Sequence, residues 1–131
     1  MEALAIITAL ALIQAILFAL QVGAARVRHG ISAPAVSGHD EFDRHYRVHQ
    51  NTMEQLIVFL PSLWMFGYFI HPLWAAGIGL IFVLSRFMYQ RAYIKNPKSR
   101  SGAFGVGFMT MAILLLGSIV GATVRLVGSL Q

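Results

Sequence analysis

Phe42-Asp43-Arg44-His45-Tyr46-Arg47-Val48-His49-Gln50-Asn51-Thr52-Met53-Glu54 is the stretch on which the reading of this chain turns. It opens charged and runs without interruption into the apolar segment Leu56 to Ile70. On a helix, Arg44, Arg47, Asn51 and Glu54 fall at i, i+3, i+7 and i+10, along one narrow stripe. A soluble helix turns such a stripe to water. Here the following turns are apolar enough for lipid, so the stripe is expected to dip into the interior of a membrane protein. An ionisable side chain in that setting marks a functional site.

The rest of the chain agrees with a membrane setting. Its 131 residues are 57% hydrophobic and 11% charged, with a mean hydropathy of +0.68, well outside ordinary soluble composition. The length allows one domain, residues 1–131, expected to be integral to the membrane. With no cysteine there is no disulfide framework, no thiolate metal site and no protein thiol nucleophile. The net charge of +5 does not point to nucleic acid, because the charges sit at the ends of apolar runs.

Ala3 to Ala25 carries no charge. At about 1.5 Å per residue it crosses a hydrocarbon core of about 30 Å. Glu2 precedes it instead of Lys or Arg, and the run exceeds the roughly 7–15 apolar residues of a signal peptide, so it reads as a retained first span. Arg26 to Asp40, with Gly30, Pro34 and Gly38, reads as a loop. Asp40, Glu41 and Asp43 suit the positive end of a helix dipole and start a second helix near Asp40, with its span over 42–70 and a kink expected at Pro61. His71-Pro72 makes a tight turn into a third span, 72–95. Asn96 to Arg100 is a polar turn before a fourth span, 101–124, in which Gly102, Gly105 and Gly107, then Gly117 and Gly121 at GxxxG spacing, allow close helix contact. The expectation is an all-α membrane protein, a four-transmembrane-helix up-down bundle.

All Lys and Arg residues but Arg125 lie around the loops between spans one and two and between spans three and four. The positive-inside rule puts those loops in the cytoplasm and both termini outside. A site built there opens toward the cytosol.

Arg86, Tyr89 and Tyr93 (i, i+3, i+7) form a second polar stripe, on the third helix, at the depth of the first. Together the stripes offer guanidiniums, an amide, a carboxylate and two phenols. A matching ligand carries two carboxylates for the arginines, whose planar forks bond both oxygens, and an ammonium for Glu54. Glutathione has this pattern, as do other zwitterions, and a phosphate suits the arginines equally. Each residue also has a plainer reading. Arg44, Arg86 and Arg91 reach headgroups by snorkelling, Tyr89 and Tyr93 belong to an aromatic belt, and Glu54 pairs structurally with Arg47 or Arg44. His45 and His49 (i, i+4) suit a shared metal, but no acidic or thiolate third ligand accompanies them, so no metal is expected. His71 reads as a turn residue.

The segment Glu41 to Glu54 resembles the signature of the MAPEG family (membrane-associated proteins in eicosanoid and glutathione metabolism): acidic-Arg, then Arg, then Asn-x-x-Glu. The likeness continues through Ala19-Leu20-Gln21-Val22, Ser62-Leu63-Trp64 and Arg86-Phe87-Met88-Tyr89-Gln90-Arg91-Ala92-Tyr93. Arg100 follows Tyr93 at the interval of the leukotriene-C-forming branch. The resemblance covers nearly the whole chain.

It implies a homotrimer with glutathione as cosubstrate at subunit interfaces. Arg47, Asn51, Glu54, Tyr89 and Tyr93 match family positions that bind glutathione, with Arg86 counted among them from its stripe. Arg26 matches a residue given by the neighbouring subunit, and Arg100 matches the arginine that stabilises the thiolate. His49 and Gln55 stand where the leukotriene-forming branch has Gln and Tyr, and Val27 where it has a second arginine. Gln50 replaces an arginine of the prostaglandin-forming branch. The glutathione half is intact and the eicosanoid half is altered. The expected activity is therefore glutathione transfer to hydrophobic electrophiles, or reduction of lipid hydroperoxides, at the membrane. A non-catalytic lipid-binding scaffold of the same fold and a small proton-coupled drug transporter using Glu54 are the alternatives.

Overall fold

A computed structural model describes residues 1–131, and it is all helical. In chain order, α1 spans Glu2–His29, α2 Asp40–Phe69, α3 Pro72–Lys95 and α4 Ser101–Ser129, with a single 3₁₀ turn at Pro97–Arg100 leading into α4. The helix starts follow from local chemistry. The His39 side chain accepts a hydrogen bond from the Glu41 N–H at 3.1 Å, and Asp40, Glu41 and Asp43 fill the first turn of α2, where the dipole favours negative charge. His71 caps α3 the same way, accepting from the Leu73 N–H at 3.2 Å, with Pro72 at the first helical position where its missing donor costs nothing. Gly30 closes α1 in the left-handed region at φ 62°, a conformation that favours glycine. Pro61 lies inside α2 without ending it.

Consecutive helices run antiparallel. Leu4 of α1 packs at Gly67 near the end of α2, and Phe59 of α2 stacks on Phe82 of α3. Arg125 at the end of α4 donates to the Tyr68 carbonyl, also near the end of α2. Both α2 and α3 touch every other helix, whereas α1 and α4 make no substantial contact with each other. The inner pair therefore carries the core, built on Leu4, Ile7, Leu56, Phe59, Leu63, Phe66, Phe82 and Leu114. The outer faces of α1 and α4 expose Ile13, Ile16, Leu20, Ile113, Leu116 and Val120, a distribution that suits lipid as solvent.

Three stretches are long and apolar enough to cross a membrane: α1, α3 and Pro97–Ser129. α2 is not among them, because its first half carries the charged signature and its uncharged part begins only at Gln55. α1 and α4 run past the expected spans, to His29 and Ser129. The glycine expectation divides. A side chain at Gly117 or Gly121 would collide with Phe66, or with Phe69 and Ile70, and Gly107 sits against Ser85, but Gly102 and Gly105 have open space beside them. The close contact is therefore concentrated at the far end of α4.

Candidate functional site

At the end of the bundle where α2 starts and α3 finishes, the packing opens. A hollow of about 380 Å³, partly open to its surroundings, is lined from α2 by Arg47, Gln50, Asn51 and Glu54. α3 contributes Tyr89 and Tyr93, and the turn into α4 contributes Arg100, Ser101 and Phe104. Glu54 and Tyr93 thus face one space, with Arg47 and Arg100 on its walls. The spacing on α2 explains the grouping: residues 47, 50, 51 and 54 are i, i+3, i+4 and i+7, one helix face. Aromatic rings hold the hollow open on the other side. Tyr89 and Tyr93 have centroids 5.7 Å apart, Tyr89 and Phe104 6.2 Å.

Arg100 sits on the exposed side, fixed by its own turn. Its guanidinium donates to the Pro97 carbonyl at 2.9 Å and lies 5.3 Å from the centre of the Tyr93 ring. Asn96 organises that turn by accepting from the Lys98 N–H at 3.1 Å. Glu54 forms no ion pair within 4 Å with any Lys or Arg, including Arg44 and Arg47; the Lys and Arg pairing of the chain goes to Glu41 through Arg28. The structural-pair reading of Glu54 is therefore set aside. Arg47, Glu54 and Arg100 are exposed in the single chain instead of buried. Their ends meet the open hollow, not the packed interior.

Two expected site residues lie elsewhere. Arg86 is 1% exposed and does not line the hollow; it lies behind it. It donates to Asn51 Oδ1 at 2.9 Å, Thr52 Oγ1 at 2.8 Å and Gln55 Oε1 at 3.1 Å, with its guanidinium 4.2 Å from the Tyr89 ring centre. The helical stripe Arg86, Tyr89, Tyr93 is real, but its first member points into the α2–α3 seam. Arg26 also stands apart from its own chain's hollow: it donates to the Ala35 carbonyl at 2.6 Å and covers Phe42 at 4.8 Å. Arg44 leaves its stripe to donate to the Ile94 carbonyl at 2.8 Å, tying the start of α2 to the end of α3. Gln50, Ser101 and Phe104 complete the lining without having been expected as site residues. The α2 face spacing contained the signal for Gln50; the α4 pair needed the turn geometry.

The histidines form a different feature. His45 and His49 join no group of three metal-capable side chains. His29, His39 and Glu41 do bring donor atoms within 4.8 Å of one another. However, the His29 and His39 rings stack at 3.5 Å, so their in-plane lone pairs run side by side, and His39 Nδ1 is engaged as the α2 cap. Glu41 bonds both His29 and Arg28, which hold its carboxyl below the usual carboxylate range. As arranged, the cluster latches the end of α1 to the start of α2.

A model of the MAPEG family matches residues 4–120. The chain belongs to the MAPEG family. Among MAPEG-related chains, human microsomal glutathione S-transferase 2 is 36% identical over 117 residues, covering 88% of this chain and 80% of its own length. Leukotriene C4 synthase of Cavia porcellus is 32% identical over 118 residues, covering 90% and 79%. An uncharacterised protein of Synechocystis is 37% identical over 116 residues, covering 88% and 85%. Membership of MAPEG, together with three helices fit to cross a bilayer, makes this an integral membrane protein.

Proposed function

We propose that this protein is a membrane-bound glutathione transferase that adds the glutathione thiol to hydrophobic electrophiles, and that it also reduces lipid hydroperoxides. In that reduction two glutathione thiols give up two electrons and form a disulfide as the hydroperoxide becomes an alcohol and water. The observation that carries the reading is the hollow itself. Two arginines, two amides, a carboxylate and two phenols converge around a space of about 380 Å³, matching two carboxylates, an ammonium and a peptide backbone. Relatives named for glutathione transfer and leukotriene C4 synthesis support the substrate class. In this reading Arg47, Asn51 and Glu54 hold glutathione, Tyr89 and Tyr93 shape its bed, and Arg100 stabilises the sulfur anion. Arg26, remote from its own hollow, serves the site of a neighbouring copy in a homotrimer. The site opens to the cytosol, in a single integral membrane domain.

The chemistry asked of Arg100 is modest. A free thiol with a pKa of about 8.5 is only a few per cent ionised at neutral pH. An adjacent guanidinium lowers it, by about 1–3 units for a close opposite charge, which raises the thiolate share at neutral pH to between about a quarter and nearly all of the bound thiol. The thiol proton leaves to solvent, the sulfur lone pair forms a C–S bond to the electrophilic carbon, and the leaving group departs with its electron pair. With no cysteine in the chain, the sulfur must be the ligand's. The test is turnover of glutathione with a chromogenic aryl halide by detergent-purified protein. Thiol loss matching product formation is expected. No thiol loss, with no rise in melting temperature on adding glutathione, would favour a lipid-binding scaffold; transport that follows a proton gradient in sealed vesicles would favour the transporter.

A further inference from the structure

Arg86 presents a charge that no acid balances. It is buried between α2 and α3, and its three partners, Asn51 Oδ1, Thr52 Oγ1 and Gln55 Oε1, are all neutral oxygens. A guanidinium has donors only. Whatever amide faces it must therefore turn its oxygen inward. An Asn carboxamide has one oxygen and one NH₂, so binding the oxygen on one side sends the NH₂ to the other. Asn51 also lines the hollow, and the side left for the hollow is the donor side.

We propose that Arg86 is a positioning residue that locks the Asn51 carboxamide with its NH₂ toward the hollow, so that this point of the site reads an acceptor oxygen of the ligand and rejects an ammonium. This rests on the glutathione reading above and deepens it: Asn51 takes a carboxylate or peptide carbonyl oxygen, while the ammonium is left to Glu54. The surrounding contacts keep the lock rigid. Thr52 is closed on both sides, accepting from Arg86 and donating to the Val48 carbonyl at 2.8 Å. The guanidinium also lies against the Tyr89 ring, so one buried group sets the orientation of two walls of the hollow. This accounts for a costly buried cation without giving it any contact with substrate.

Asn51→Asp is the first probe. Aspartate has the same shape and satisfies Arg86 at least as well, so the fold is kept, but it turns a donor into an acceptor and adds a negative charge. In full-length protein in detergent, glutathione affinity measured by calorimetry is expected to fall about tenfold or more, with the melting temperature of the unliganded protein held or raised. Binding within about twofold of wild type overturns the proposal. The second probe is a double-mutant cycle. Arg86→Lys loses the fork and is expected to weaken glutathione about as much as Asn51→Ala, with kcat at saturating glutathione within about twofold. Arg86→Lys with Asn51→Ala should lose no more than Asn51→Ala alone, whereas Arg86→Lys with Glu54→Ala should show additive losses. Additivity with Asn51 overturns the positioning role while leaving the glutathione reading standing. Absence of any glutathione binding by wild-type protein overturns both.

Discussion

The two ends of this bundle are built on opposite principles. At one end Leu4 meets Gly67, and Phe66 and Ile70 meet Gly117 and Gly121. The helices there approach until no side chain fits between them, as small residues permit in lipid. At the other end the contacts are made by Tyr89, Tyr93 and Phe104, by an arginine laid across the α2–α3 seam, and by the stacked pair of His29 at the end of α1 and His39 at the cap of α2. Bulk at the contact points leaves space between them, and the polar residues gather in that space. Glycine closes one end; large polar and aromatic groups prop the other open. With the proposed site at the open end, stability and chemistry fall to different ends, and substitutions in the two should separate cleanly.

The largest expected effect is at the open end. Arg100→Ala should lower kcat by about 10²–10³, the usual loss on removing one donor to a developing anion, with little change in glutathione affinity. Single-turnover rates and the ultraviolet absorbance of bound thiolate check the loss, and calorimetric titration with glutathione checks the affinity. Arg47→Ala or Glu54→Ala should instead weaken glutathione by about 10–100-fold, the worth of a charge-assisted hydrogen bond, with kcat at saturation nearly kept. Equal, small effects from all three would erase the division of roles.

At the closed end Gly117→Ala should lower stability by about 1–3 kcal/mol through overpacking against Phe66, read as an earlier thermal transition, while activity per folded molecule stays unchanged. Gly105→Ala, with open space beside it, is the paired control. It should be neutral or gain up to about 1 kcal/mol from helix propensity. Should Gly117→Ala change the rate as much as the stability, the two ends are coupled and the comparison fails.

The smallest effect concerns the latch at Glu41. Its carboxyl is held below the ordinary value by His29 and Arg28. A depressed folded value means that its stabilisation is present above the unfolded carboxylate value, about 4.3, and is lost as pH falls through the lower folded value. Melting temperature followed from pH 6 downward should therefore show an acid-side decline that Glu41→Gln shallows. Because the group is exposed, the difference should be slight and should shrink with salt.

Much of the fold was legible because each signal was local. Uncharged runs set the helices, His71-Pro72 and Asn96 to Arg100 set the turns, and Gly117 and Gly121 marked close contact. The family resemblance brought six residues forward: Arg47, Asn51 and Glu54 from the signature between Glu41 and Glu54, and Tyr89, Tyr93 and Arg100 from the stretch that begins at Arg86. These six share one hollow. Arg86 was misplaced because periodicity gives a residue's face but not what stands across from it. Ser101 and Phe104 escaped because nothing in their own segment distinguishes them from any other turn of α4.

Local order along the chain sets the number of helices, the turns between them and which face of α2 carries charge, since these depend on neighbours within about one turn, while α1 and α4 run on past their uncharged cores to His29 and Ser129. Which arginine meets the hollow and which one braces its wall was decided only by the tertiary structure. Arg47 and Arg86 differ little as isolated helical residues. They part company only when α2 and α3 pack, because a long donor-only side chain ends wherever oxygens from another helix are placed to receive it.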